Sequence, residues 1–367
     1  MTAATPDSAT SPPAREPRRL ARLTVDHAAI VENWRFFKKQ APSAAVSAVV
    51  KADAYGLGSI GASRALAQAG ARVFFTATHG EAVLVRKALG EGPQIFVLNG
   101  PTADDVGAFA SAKLTPILNS MAQIKLWDAR GPAGLHIDTG MNRLGIGPEE
   151  LTDSVRALKD VSLAIVMSHL ACASDVKHEM NALQLKRFID AATLFPKAPR
   201  SLASTGGVLI GPDYHFDLIR PGVGLYGSGG LDSDNPKLNA AATIEAPILQ
   251  VRDVLSGETF GYGATFTAAQ KMRTATVGLG YADGYLRSLS GRGYGFLAGA
   301  KRPILGRVSM DLIILDVTGC DDAQPGAMVE FLGPNAPLDD IAALAGTAPY
   351  EILTTFAGTV RKTGVRG

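Results

Sequence analysis

From residue 44 to about residue 220, short β-branched apolar runs alternate with alanine-rich stretches of helical periodicity. The runs fall at 46–50, 73–76, 95–98, 114–118, 134–137, 163–168, 201–203 and 217–220. Each is too short for a helix and rich in residues that suit a buried, pleated surface. Helical patterns lie between most of them, as at 59–69, 81–88 and 179–194. About eight strand–helix units in roughly 200 residues is the count and length of a (β/α)8 TIM-type barrel. A doubly wound α/β sheet also alternates, but usually with fewer strands.

After residue 239 the texture changes. Short extended runs at 242–251, 273–277, 294–297, 304–308, 312–317 and 328–331 are separated by Gly and Pro turns, and only 339–345 reads as helical. The pattern predicts a barrel over 21–240 followed by a mainly-β domain over 241–367. Residues 1–20 are rich in Ala, Ser, Thr, Pro and Arg and read as a disordered tail. They hold no apolar core of a secretory signal, and no apolar run reaches the roughly 18 residues of a membrane span. A cytoplasmic protein is expected.

Composition narrows the function classes. With 46% hydrophobic and 19% charged residues, the chain can bury a large core and is not mostly disordered. Thirty-six basic against 34 acidic residues give a net charge of +2, no electrostatic footprint for nucleic acid. Two cysteines, Cys172 and Cys320, make neither a disulfide framework nor a metal cluster and suit a reducing compartment.

In a barrel, chemistry gathers where strands end. Lys51 directly follows the first apolar run. A desolvated lysine there has a lowered pKa and attacks carbonyls, although one snorkelling to water would fit the same position. Asp138, Met141 and Arg143 follow the fifth run, and His169, which is either a core histidine or a catalyst, follows the sixth. Thr205-Gly206-Gly207 and Pro221-Gly222-Val223-Gly224 follow the last two, as phosphate loops or as simple turns. Arg220 needs a hydrogen-bond acceptor, either a ligand's ring nitrogen or carboxylate or a structural acidic partner. Gly56, Gly58 and Gly61 match G-x-G-x-x-G, but Glu81, at the spacing of a dinucleotide site's acidic residue, lies past the second strand in the next helix. That counts against a nicotinamide dehydrogenase. In the second domain, Tyr262 and Tyr281 sit between glycines, as turn residues or as hydroxyls presented to a site.

Taken together, VVKADAYGLG, HIDTGMNRLG, IRPGVGLYG, FGYGATF, GYADGY and GRVSMD, in this order, resemble the alanine racemase family over about residues 22–356. The resemblance implies pyridoxal 5'-phosphate as cofactor, alanine as substrate, and a homodimer in which one chain's β domain completes the other's site. By the same resemblance Lys51 holds the cofactor and is one of two bases, and Tyr262 of the other subunit is the second. Tyr55, Thr205, Gly222 and Val223 lie where the family binds phosphate. Arg220 faces the pyridine nitrogen, backed by His169. Arg143 and Met310 match substrate-carboxylate contacts, and Tyr281 and Asp311 lie farther out, toward the entrance. The implied product, D-alanine, serves peptidoglycan synthesis, or the enzyme serves alanine catabolism.

Racemisation removes the α-proton from one face and returns it on the other, so two bases on opposite faces are needed, each working near neutral pH. Two departures stand out. Some racemases carry a carbamylated lysine where this chain has His136, so an anion such as chloride, or neutral packing, is expected beside Arg143. Some carry a phosphate-binding tyrosine where this chain has Gly358. Alternatives on the same frame are a broad-specificity or serine racemase. A fold-related decarboxylase is expected to lack FGYGATF, and a pyridoxal-phosphate-binding homeostasis protein lacks the β domain and its tyrosine.

Overall fold

A computed structural model describes residues 20–128, 130–359 and 362–366; the tail expected at 1–20 lies outside them except for Leu20. Seven short strands form one parallel sheet in the order Ala48–Val49, Val73–Thr76, Gln94–Val97, Thr115–Leu118, Ala133–His136, Leu163–Met167 and Arg200–Ser201. The eighth, Leu218–Ile219, pairs in parallel with Ala45–Val46 just ahead of the first. On its other side Asp217 N donates to Arg200 O at 3.1 Å and Arg220 N to Ala203 O at 2.9 Å, which closes the ring. The eight expected runs are therefore the eight barrel strands, with ends shifted by one or two residues. Most of their residues are apolar because side chains facing the lumen and side chains facing the helices are both buried. Phe75 and Phe96, for instance, stack across adjacent strands with centroids 4.8 Å apart.

The outer helices have sequence-level reasons for where they start. His79–Leu89 opens on a capping box between Thr78 and Glu81, and Met121–Trp127 opens on Ser120, whose side chain accepts from Gln123 N. Among the described residues no helix is long and apolar enough to cross a membrane, and no group of His, Cys, Asp and Glu side chains could hold a metal.

The β domain is organised by one long strand, Ala242–Val254, which pairs antiparallel with Met272–Val277 and Met328–Leu332. Its remaining neighbour is Arg22–Asp26 from the start of the chain, which also runs parallel to Lys362–Arg366. The sequence pattern did not reveal this strand. Only Leu23 and Val25 of its five residues are buried, and its partner lies some 220 residues away. The run at 304–308 is not a strand. The hairpin is formed by Tyr294–Leu297 and Ala300–Pro303, and Ile304 keeps a single bridge to Leu315. A second helix, Pro349–Thr359, follows Leu338–Ala345. Its three threonines and its glycine weaken intrinsic helicity, and burial of Ile352, Leu353 and Phe356 holds it instead.

Candidate active site at the barrel mouth

The first strand ends in an unusual turn. Ala52, Asp53, Ala54 and Tyr55 all have φ between 51° and 56°, a left-handed turn of non-glycine residues directly after Lys51. Each such residue costs about 1–2 kcal/mol, so the turn needs external support. Ala54 N donates to Val50 O (2.9 Å) and Gly56 N to Ala52 O (2.7 Å). The Asp53 carboxylate accepts from Ser59 N (2.7 Å) and Ser59 Oγ (2.9 Å). Glu81 Oε1 accepts from Ala52 N at 2.9 Å. The Lys51 amine does not snorkel. Burial first, and the charge of Arg143 second, push its pKa below the usual lysine value, and Glu81 pulls the other way.

Arg220 is 3% exposed, and its fork meets only neutral groups. Nη1 donates to Ser201 Oγ. Nη2 donates to Ser168 O at 2.6 Å and to Leu202 O at 3.2 Å. Burial without a carboxylate brings its pKa down to about 9, so the structural ion pair weighed from sequence is not formed. His169 is held well below its usual pKa, by burial and then by Arg220 and Arg143, and is neutral. His136 sits at about 4, for burial first, then Arg220, with Arg143 adding to it against Asp138. Its partner is Asn119, a residue the sequence gave no reason to single out.

The phosphate-loop candidates form a cradle. Thr205 Oγ1 accepts from Gly222 N (3.0 Å) and Gly224 N (3.1 Å), tying the last two strand ends together. With two donors on its oxygen, the Thr205 proton is available to a ligand. A Cβ on Gly222 would overlap the Tyr55 hydroxyl, so that glycine keeps the space in which Tyr55 ends. Val223 is buried beside it. The Tyr55 ring lies 4.9 Å from Tyr226 and 6.0 Å from Tyr350, on the unexpected last helix. The same helix contains Gly358. Tyr226 donates to Val49 O at 2.9 Å. The GLGSIG glycines serve packing: Gly56 and Gly58 have positive φ, and a Cβ on Gly61 would overlap the His27 ring.

The other expected residues lie on the β domain. FGYGATF, GYADGY and GRVSMD converge there as adjoining turns. Tyr281 N donates to Ser309 O (3.0 Å), Ala282 N donates to Met310 O (2.9 Å), and a Cβ on Gly306 would touch Phe260 O. Tyr262, Met310 and Tyr281 are 71%, 54% and 43% exposed, and Asp311 is exposed beside them. No hydrogen bond or ring contact joins Tyr262 to Lys51 or Arg220 within the chain. The barrel mouth thus unites Lys51, Tyr55, Arg143, His169, Thr205, Arg220, Gly222 and Val223. Tyr262, Tyr281, Met310 and Asp311 form a separate patch.

Comparison with known proteins accords with this arrangement. Residues 25–229 match the family model "Alanine racemase, N-terminal domain", and residues 241–363 match "Alanine racemase, C-terminal domain". The chain is 43% identical over 369 residues to an alanine racemase of Rhizobium meliloti, covering 95% of this chain and 97% of that one. It is 41% identical both to the catabolic and to the biosynthetic alanine racemase of Agrobacterium fabrum, covering 94% and 91% of this chain and 92% and 90% of those. Among solved structures, alanine racemase from Bartonella henselae with covalently bound pyridoxal phosphate superposes with a TM-score of 0.88 at 36% identity, covering 94% of this chain and 99% of that one. The biosynthetic enzyme of Pseudomonas aeruginosa gives 0.89 at 33%, covering 95% and 99%. A closed barrel with a desolvated lysine at its mouth, a β domain presenting an exposed tyrosine, and both family models together account for nearly the whole chain: it belongs to the alanine racemase family.

Proposed function

We propose that the protein interconverts L- and D-alanine with pyridoxal 5'-phosphate held at Lys51. The observation that carries this is Arg220, a buried guanidinium whose partners in the chain are all neutral. Such a charge calls for a ligand acceptor, and the ring nitrogen of pyridoxal phosphate is one. The rest of the mouth fits the same group. A lysine with a lowered pKa suits its aldehyde, and the Tyr55 and Thr205 hydroxyls suit its phosphate.

When bound, the cofactor supplies a sink for the electron pair left at the α-carbon. The protein's part is positional and acid–base. Arg143, whose charge reaches Lys51, would hold the substrate carboxylate. The Lys51 amine takes the α-proton on one face or returns it there. Tyr262 would do the same on the opposite face, with Met310 beside the substrate. Arg220 stays charged and so donates its proton to no one, which keeps a ring nitrogen bonded to it unprotonated. That restrains side reactions. His169, held neutral by burial and by the charge of Arg220, adds no second positive charge beside that guanidinium.

Tyr262 belongs to a patch apart from this mouth, and a head-to-tail homodimer in which one chain's β domain completes the other's site is the arrangement that would bring the two together. The exposure of Tyr262 and Met310 supports it. The bounds of the two family models, 25–229 and 241–363, support a division of the chain near residue 240. Tyr281 and Asp311 would then border the entrance. A cytoplasmic location is supported by the free thiols of Cys172 and Cys320.

The test is a proton-exchange assay over the proteinogenic amino acids, joined to borohydride reduction and peptide mapping. Alanine should exchange fastest, and the reduced cofactor should sit on the Lys51 peptide. Faster turnover of serine would replace alanine as the substrate, and a label on another peptide would overturn the role of Lys51.

A further inference from the structure

We propose that Glu81 is a positioning residue that locks Lys51 in its working place by clasping the left-handed turn to the end of the neighbouring strand. The proposal rests on the role given to Lys51 above. Glu81 lies in the first turn of the helix His79–Leu89. One carboxylate oxygen accepts from Ala52 N, the first amide after Lys51, at 2.9 Å. The other accepts from Ala77 N at 2.8 Å, and from Thr78 N at 3.4 Å, just past the strand Val73–Thr76. A single side chain therefore bridges the ends of two barrel strands across the base of the lysine.

The chemistry of the bridge selects a carboxylate. Donors approach from both sides, so both ends of the group must accept. A glutamine offers one oxygen and would turn its NH2 toward an amide N–H. The turn it holds is strained at four successive residues, so releasing Ala52 lets the turn relax and carries Lys51 with it. Glu81 also provides negative charge near the amine. The groups facing Lys51 are Arg143 from the loop after the fifth strand, neutral His169 from the sixth, and Glu81. Glu81 is the one anion of the three, and it offsets Arg143.

The experiment compares Glu81→Gln and Glu81→Asp as cofactor-loaded enzymes. Three readouts are used: kcat and KM for alanine, the pH profile of kcat, and hydrogen exchange of the segment 51–57. Glu81→Gln is expected to lower kcat about tenfold or more while KM changes little, because displaced reacting groups lose rate rather than binding. Exchange in 51–57 should rise. The limb of the profile belonging to Lys51 should move to lower pH, because an anion favouring the protonated amine is gone. Glu81→Asp keeps the charge on a shorter reach, so kcat and exchange should change with the limb in place. If Glu81→Gln does not fold, Glu81→Asp carries the test through exchange and kcat. Wild-type exchange and wild-type kcat in the variants that fold would overturn the clasp. Borohydride labelling of the wild type separates the two claims: a label off Lys51 removes the premise, whereas a label on Lys51 with indifferent Glu81 variants removes only this proposal.

Discussion

His136 Nδ1 lies 2.9 Å from Asn119 Oδ1. The Asn119 amide nitrogen already donates to Leu98 O (3.0 Å) and Ile117 O (2.9 Å), so its oxygen is the acceptor and Nδ1 of the histidine carries the proton. Nε2 is left with a lone pair in the field of Arg143 and Arg220. A neutral, oriented ring therefore stands at the position where the family resemblance implies a carbamylated lysine in some racemases.

That ring gives an acid-stability prediction. The folded-state pKa of about 4 lies below the ordinary histidine value of 6.5. Between those values the unfolded chain binds a proton that the native chain does not. Stability contributed by keeping His136 neutral is thus full above 6.5 and is lost as pH falls toward 4. His136→Asn should lose less stability than wild type between about pH 7 and about pH 5, by on the order of 2 kcal/mol in urea unfolding. Equal losses in the two proteins would mean that the ring titrates normally.

Gly222 has a φ of −117°, outside the left-handed region. Its Cβ would nevertheless overlap the Tyr55 hydroxyl. Gly222→Ala is expected to weaken pyridoxal phosphate binding about tenfold or more, the cost of overpacking by about 1–3 kcal/mol. Fluorescence titration of the cofactor-free protein measures it. Adding Tyr55→Phe should give less than additive loss, because the two changes strike one contact.

Arg220→Glu should slow racemisation strongly and raise transamination, followed as pyruvate formed per turnover. A carboxylate beside the ring nitrogen favours its protonation and strengthens the electron sink. The same change turns the Ser168 and Leu202 carbonyls toward an anion, so stability should fall as well. Arg220→Lys keeps the charge but not the fork, and should retain the low side-reaction ratio at a reduced rate.

If Tyr262 serves the partner's Lys51, two inactive variants should complement. Lys51→Ala and Tyr262→Phe, mixed under conditions of subunit exchange, give about half mixed dimers by random pairing. Each mixed dimer has one intact site and one with both lesions, so activity should return to about a quarter of wild type. A verified exchange without recovery would show that both residues act within one chain.

The barrel was legible along the chain because each strand buries both faces and each helix one, and local patterns of apolar residues report that directly. Lys51, Arg143, Arg220 and Thr205 were legible for a related reason: strand ends in a barrel share one rim, so position along the chain fixes position in space. Relations with no local signature were left to the tertiary structure. The strand Arg22–Asp26 gains its meaning from Ala242–Val254, and the last helix gains its stability from the core it meets. Glu81 had the spacing of a dinucleotide-site acid, and only the closed barrel shows its carboxylate on Ala52. Asn119, which sets the proton of His136, is one strand away and unmarked in sequence. The sequence determined which chemistry-bearing residues stand at the barrel rim and on the β-domain turns, because short-range pattern sets element boundaries. Tertiary structure decided which carboxylate, amide or ring each of them meets, because hydrogen bonds form between groups brought together by closure of the sheet, whatever their separation along the chain.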